Sequence, residues 1–431
     1  MKVLLQPGVR RHEVWAWAMY DFANSGYTTV VITAVFGAYF VGVVAAEATW
    51  ATFAWTLALS VSYGLVMLTA PLIGAWADAH ARKKSLLWLT TLGCVGFTAA
   101  LYFAAPGALV LAIMALVLSN YFFGTGENLI AAFLPELARP RALGRISGWG
   151  WALGYVGGLI SLAASLAWIS WAQAQGQGAA DFVPVAMLIT AAIFMLASLP
   201  TLLMLRERAV PQAGHIPRNA WRQVRYTLGH LTQLPDLKRF LICTVLYQAG
   251  IQAVITLAAI YASQVFHFDT QRTIVLVLVV NVTAALGAFA FGYVQDRIGH
   301  VRSIALTLAG WLAMVLLAWA APDERMFWLA ANLAGLCMGA AQSAGRAMVG
   351  LLAPPAHQAE FFGLWGLAVK LASIVGPLTY GATTWLTAGD HRQALLVTGA
   401  WFVAGLLVLK GIRADRGRRA AHRFSLRSEH G

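Results

Sequence analysis

The chain has 431 residues, of which 60% are hydrophobic and only 11% charged, against about 45–50% and about 25% in soluble domains. One core cannot absorb that much apolar surface, so a soluble enzyme and a disordered scaffold are excluded and lipid becomes the second solvent. The formal charge of +13 is spread over short loops and both tails rather than one face, which argues against a nucleic-acid partner.

A helix needs about 20 mostly apolar residues to cross roughly 30 Å of hydrocarbon. Twelve such runs are expected, near residues 14–42, 53–77, 85–105, 108–136, 146–172 and 182–205, then 239–265, 273–294, 303–321, 325–352, 360–387 and 391–411. The first 17 residues show no short apolar core followed by a small-residue cleavage site, so the first run is read as a retained span.

In span one, Asp21 lies roughly 10 Å deep at about 1.5 Å per residue. Asn24, Ser25 and Thr28 follow at helical spacing and make one polar face with it. Charged groups inside spans are costly, which makes each a functional candidate. Asp21 either meets substrate or a proton, or pairs with a basic loop residue near the inner surface. Span two ends in Gly74-Ala-Trp-Ala-Asp78-Ala-His-Ala81-Arg82-Lys83-Lys84. Span four carries Glu127 beside Asn128. A buried, unpaired Glu can carry a proton; a salt bridge to Arg346 or Lys370 is the competing reading. Along span five, Gly150, Gly154 and Gly158 recur every four residues, a spacing that permits close helix packing.

The longest connection is 206–238. There Trp221, Val224, Leu228 and Leu231 recur at helical spacing among Arg222, Arg225 and Lys238, a pattern that suits a helix on the inner membrane surface tethering two halves. In span seven, Tyr247, Gln248 and Gln252 offer neutral hydrogen bonding, either to a cargo or to the protein itself. Gly292-Tyr-Val-Gln-Asp296-Arg297-Ile-Gly299 follows span eight. Gln342 and Arg346, four apart, share a face of span ten. Lys370 is ~15 Å into span eleven, too deep to reach water. Its counter-ion is either an anionic substrate group, such as a carboxylate, or an acid of the protein.

Several absences narrow the reading. Cys94, Cys243 and Cys337 are scattered through apolar runs without disulfide or metal-ligand spacing, so neither metal nor cofactor is expected. No Gly-x-x-x-x-Gly-Lys-Ser/Thr phosphate cradle occurs, so the chain is not an ATP motor. No nucleophile–base pair stands out, and no enzyme is expected. The ten His residues fall in loops or tails, which leaves no His relay within the spans.

Basic residues set the orientation. With both termini taken as cytoplasmic, twenty-five of the thirty Lys and Arg fall inside and three, Arg272, Arg325 and Arg392, fall outside. That asymmetry places both ends in the cytoplasm of a cell whose inner (plasma) membrane holds the protein.

The two halves correspond. Asp78 and Asp296 stand 218 positions apart in similar loops, and Gly124, Pro140 and Gly148 fall on Gly339, Pro355 and Gly363 at an offset of 215. At that offset Glu127 falls on Gln342, an acid on its neutral isostere. The expected organisation is a six-helix bundle over 1–205, a linker over 206–238, a second bundle over 239–411 and a basic tail over 412–431. Paired halves are the mark of a secondary transporter with its site between them near mid-membrane.

The loop after span two resembles the major facilitator signature, Gly-x-x-x-Asp-x-x-Gly-Arg-Lys, with Ala81 in place of its second Gly; the second copy keeps Gly299 but lacks the Arg-Lys. Tyr20-Asp-Phe-Ala-Asn-Ser25, Leu134-Pro-Glu-Leu-Ala138, Gly144-Arg-Ile-Ser-Gly-Trp-Gly-Trp-Ala-Leu-Gly154, Gln342-Ser-Ala-Gly-Arg346 and Phe361-Phe-Gly363 with Lys370 are similar to the vacuole-effluxer-like branch of that superfamily. The branch's span-seven pattern Tyr-Asn-Asp-Gly reads here Tyr247-Gln248-Ala249-Gly250, one carboxylate fewer. The resemblance implies an all-α integral membrane protein with twelve transmembrane helices in two six-helix pseudo-repeats, the major facilitator fold. It also implies a monomeric secondary active transporter that effluxes an amino acid or related zwitterion or anion, with protons as a candidate coupling ion. Asp78, Arg82 and Lys83, with Asp296 and Arg297, are expected to form a gate at exposed helix ends. The competing readings are another cargo (a peptide, a sugar derivative or a drug-like compound) and a transporter-fold solute sensor.

Overall fold

The computed structural model describes residues 4–45, 51–209, 229, 231–268 and 270–430. Among them the chain is helical, with one isolated β-bridge between Leu5 and Ala138. The helices are α1 (Arg11–Val44), α2 (Ala51–His80), α3 (Lys83–Ala100), α4 (Leu109–Ala131), α5 (Leu143–Ala174) and α6 (Ala179–Met204). They continue as α7 (Pro235–Phe266), α8 (Thr270–Ile298), α9 (His300–Ala320), α10 (Glu324–Leu352), α11 (Gln358–Leu386), α12 (His391–Leu409) and α13 (Ala414–His430).

Eleven described helices are long and apolar enough to cross a membrane. The twelfth expected span, α10, has the length at 29 residues but a more polar sequence, including Gln342 and Arg346. Its neighbours bury that polarity: nearly the whole stretch from Cys337 to Leu352 is hidden. Leu68, Leu196, Leu286, Leu378 and Leu407 are instead exposed on the outer surface of the bundle, as lipid-facing side chains must be. The amphipathic linker helix expected around Trp221–Leu228 lies outside the described residues, while Leu231 sits buried in a short helical turn just before α7. The tail, expected only as a basic segment, forms α13.

Within the first six helices, α1 packs on α5 and α6, and α4 on α2 and α3; within the last six, α7 packs on α11 and α12, and α10 on α8 and α9. Across the divide, α2 lies along α11, and α5 lies along α8 and α10. These crossing contacts repeat. A Cβ on Gly148 of α5 would collide with the Ala288 carbonyl of α8, and a Cβ on Gly363 of α11 with the Ala70 carbonyl of α2. Only glycine allows the backbones so close, and the offsets of 215 and 218 recover the same contact in both halves. All of these approaches lie toward the face that carries both termini. That face is shut.

Candidate functional site

The six-residue run Thr28 to Thr33 is wholly β-branched, a poor fit to a tight α-turn. Here α1 widens into a π-helix over Thr28–Ala34, a distortion common at functional sites. Thr28 and Thr33 bond back to the carbonyls of Asn24 and Thr28. One face of α1 is anchored: Trp17 Nε1 donates to the Ile130 carbonyl, and the Tyr20 and Tyr27 hydroxyls meet Thr91 and Ser119. The opposite face, Asp21, Asn24, Ser25 and Thr28, lines a cavity of about 390 Å³ between the two sets of helices.

Most of the residues singled out in the sequence meet there. Asp21, Asn24, Glu127, Asn128, Gln252, Gln342, Arg346 and Lys370 all line the cavity. Two do not. Gln248 lies just behind the wall and donates to Gln342 Oε1 at 2.9 Å, and Tyr247 is buried with its hydroxyl packed toward Gly345. Their spacing was right for a common face, but a helix face can just as well pack on another helix.

The four charged groups form two pairs. Arg346 reaches Asp21 with Nη1 at 2.9 Å and Nη2 at 2.8 Å. Its remaining donors go to Ser147, Nε to the hydroxyl and Nη2 to the carbonyl, and its guanidinium stacks over Trp17 and Trp151. Gly150 makes the room, since a Cβ there would collide with Asp21. Asp21 thus pairs with an arginine of span ten rather than a loop. Lys370 stands 3.7 Å from Glu127 Oε2, with its ammonium over the Tyr63 and Phe123 rings.

The cluster expected to form a gate keeps Lys83 but not Arg82 or Arg297, and its aspartate side chains are buried rather than exposed. Asp78 is buried, accepts from the Glu360 backbone N–H at 2.9 Å and lies 3.8 Å from Lys83. Lys83 in turn meets Glu136. Asp296 accepts from the Gly144 and Arg145 N–H groups and pairs with the Arg145 side chain at 3.6 Å. Each aspartate therefore caps the first turn of a helix from the other half, α11 or α5, where the helix dipole favours negative charge. Arg82 and Arg297 are exposed and make no ion pair among the described residues. The position after each Asp loop turns through the left-handed region, at φ +51° for Ala81 and +89° for Gly299.

Sequence reasoning missed Trp151 and Trp365, whose indole N–H groups are buried at the cavity wall without a partner. The unpartnered Asn24 Oδ1 and Asn128 Nδ2 belong to the same wall. An indole in an apolar run looks like packing; only the cavity reveals a free donor.

A model of the family described as vacuole effluxer Atg22 like matches residues 37–422. The chain is 28% identical over 409 residues to the MFS-type transporter YxiO of Bacillus subtilis (strain 168), covering 91% of this chain and 93% of that protein. It is also 28% identical over 229 residues to autophagy-related protein 22 of Cryptococcus neoformans var. neoformans serotype D (strain JEC21), 49% of this chain and 40% of the fungal one. A bacterial homologue of the iron transporter ferroportin, solved in an outward-facing state, superposes with a TM-score of 0.72 at 14% identity, covering 93% of this chain and 99% of that one. That likeness is one of fold.

Proposed function

The chain belongs to the vacuole effluxer Atg22-like family of major facilitator transporters, and from that premise we propose that its cargo is a small zwitterion, with amino acids the class that fits best. The unpartnered polar atoms around the cavity carry this reading. Asn128 Nδ2 and Trp365 Nε1 lack acceptors, and the Asn128 amide packs on Gly366, next to Trp365 and one helical turn before Lys370. Two N–H donors and an ammonium on α4 and α11 suit a carboxylate. On α1, Asn24 Oδ1 lacks a donor and suits an ammonium group. A buried polar group left unpaired costs about 1–3 kcal/mol, which a cargo bearing both charges recovers. The wall from the last six helices, including Val254, Leu257, Val280 and Met338, is largely apolar and takes the rest of the solute.

The Glu127–Lys370 pair supplies the coupling. A cargo carboxylate arriving at Lys370 displaces Glu127, and the freed carboxylate takes up a proton. With the termini in the cytoplasm the shut face is the inner one and the cavity serves the outside, the release geometry of an efflux cycle. Single cysteines at the exposed positions Arg325 and Arg418 should then label from opposite sides of intact cells; both labelling from outside contradicts the orientation.

Proteoliposomes loaded with a mixture of amino acids test the function. Protein-dependent loss of at least one gradient is expected, faster when the lumen is more acidic than the outside. Binding without any flux would identify a sensor instead, and neither binding nor flux would remove amino acids as the cargo.

A further inference from the structure

A second cavity, of about 790 Å³, lies on the shut face. One wall belongs to the first six helices, at Gln6 and the Pro135–Glu136 turn; the other is α13. At its floor the halves touch, with Gly350 against Pro135. Among the described residues, the ion pair and the close packing that hold α13 fall on the second half. Asp236, fully buried, accepts two 2.7 Å bonds from Arg416 at its start. Gly417, Ala421 and Phe424 turn inward, Gly417 against Leu352 and Phe424 against His357. That leaves the other face of α13 to the cavity.

That face carries Arg418, Arg419, His422 and Arg423, all exposed. None has an ion-pair or hydrogen-bond partner among the described residues. Of the two acids on the cavity wall, Glu136 is already taken by Lys83, and Asp415 is a single charge against three guanidiniums. Gln358, also on the wall, is buried; its Nε2 donates to the Ala353 carbonyl while its Oε1 is unpartnered. Guanidiniums match the oxygens of phosphoryl groups in bidentate geometry, and Gln358 Oε1 would accept from a hydroxyl on the same molecule.

We propose that this cavity binds a phosphoryl-bearing anion, either the headgroup of an anionic phospholipid or a soluble phosphorylated compound. Bound there, the anion ties α13 to Gln358 at the start of α11, beside the contact between the halves. The site is separate from the cargo site, and it stands whether or not the cargo is a zwitterion.

Unfolding midpoints of the purified full chain test it, at constant ionic strength set with chloride. One arm adds inorganic pyrophosphate in detergent; the other compares nanodiscs of phosphatidylcholine with and without phosphatidylglycerol. A rise of several degrees is expected in at least one arm, because a ligand that binds only the folded state stabilises it. The arm that responds identifies the source, and a response in both identifies the phosphoryl group itself. Trypsin cleavage after Arg418, Arg419 and Arg423 should slow in the responding arm. The triple substitution Arg418→Gln, Arg419→Gln and Arg423→Gln should weaken apparent affinity at least about tenfold. Asp236→Asn keeps every arginine but loosens the helix, and should lose the response too. No stabilisation in either arm, or a full response in both variants, overturns the proposal.

Discussion

Two acid–base pairs at the central cavity join the first six helices to the last six, and their surroundings differ. Arg346 and Asp21 are 4% and 10% exposed, Lys370 and Glu127 13% and 34%. Arg346 spends every nitrogen on Asp21 or Ser147 and is sandwiched by two indoles. Lys370 has one carboxylate at 3.7 Å, no closer bond, and a cavity beside it. A saturated pair in a tight pocket holds helices together. A loose pair beside open space can exchange partners. Charge in a membrane span is therefore a reason to look at a residue, and the satisfaction of its hydrogen bonds decides what it does.

Breaking the saturated pair should have the largest effect. Arg346→Met leaves Asp21 buried without a partner, which costs about 3–5 kcal/mol. Loss of the folded protein, or a steep fall in its unfolding midpoint, is expected in detergent. Lys370→Met should spare the fold, since a partly exposed pair contributes about 0–1 kcal/mol, yet weaken cargo binding at least about tenfold. Equal stability losses from the two substitutions would erase the distinction. Glu127→Gln should keep binding and remove the response of transport to a pH gradient. A full response in that variant means the proton travels elsewhere.

The gate lies between these extremes. Asp78→Asn keeps an oxygen for the Glu360 N–H but loses the charge facing Lys83. A stability loss of about 1–3 kcal/mol is expected, with a larger fall in transport because the shut face no longer closes fully. Wild-type flux would remove Asp78 from the gate. The smallest effect belongs to the loop. Ala81 holds φ +51°, a conformation that costs a residue with a Cβ roughly 1–2 kcal/mol. Ala81→Gly should relieve part of that and raise the unfolding midpoint slightly, while Gly299→Ala should lower it.

The fold was legible because the spans are long and, α10 apart, apolar, because the basic loops alternate with loops nearly free of Lys and Arg, and because the Asp loops recur half a chain apart. Asp21, Glu127, Arg346 and Lys370 were legible for one reason: lipid leaves no cheap place for a charge. The partner of Glu127 was narrowed to Arg346 or Lys370, but that of Asp21 was not legible, since 325 positions separate it from Arg346 and helical spacing speaks only of neighbours on one helix. Of the bases that face the two loop aspartates, Lys83 was legible beside its motif, while Arg145, on another helix, was hidden. Arg82 and Arg297 lie nearer their aspartates in sequence, but the helix end points them away. Trp365 and Trp151 carry no charge and could not be told from packing until the cavity placed their N–H groups.

The central claim is that Lys370 reads a carboxylate on a zwitterionic cargo. Calorimetry on purified wild type and Lys370→Met, with each amino acid and its decarboxylated amine, tests it most directly. The wild type should bind at least one amino acid at least about tenfold more tightly than the matching amine, and Lys370→Met should bind the two alike. An unchanged preference in Lys370→Met, or a wild type that favours the amine, would contradict the account.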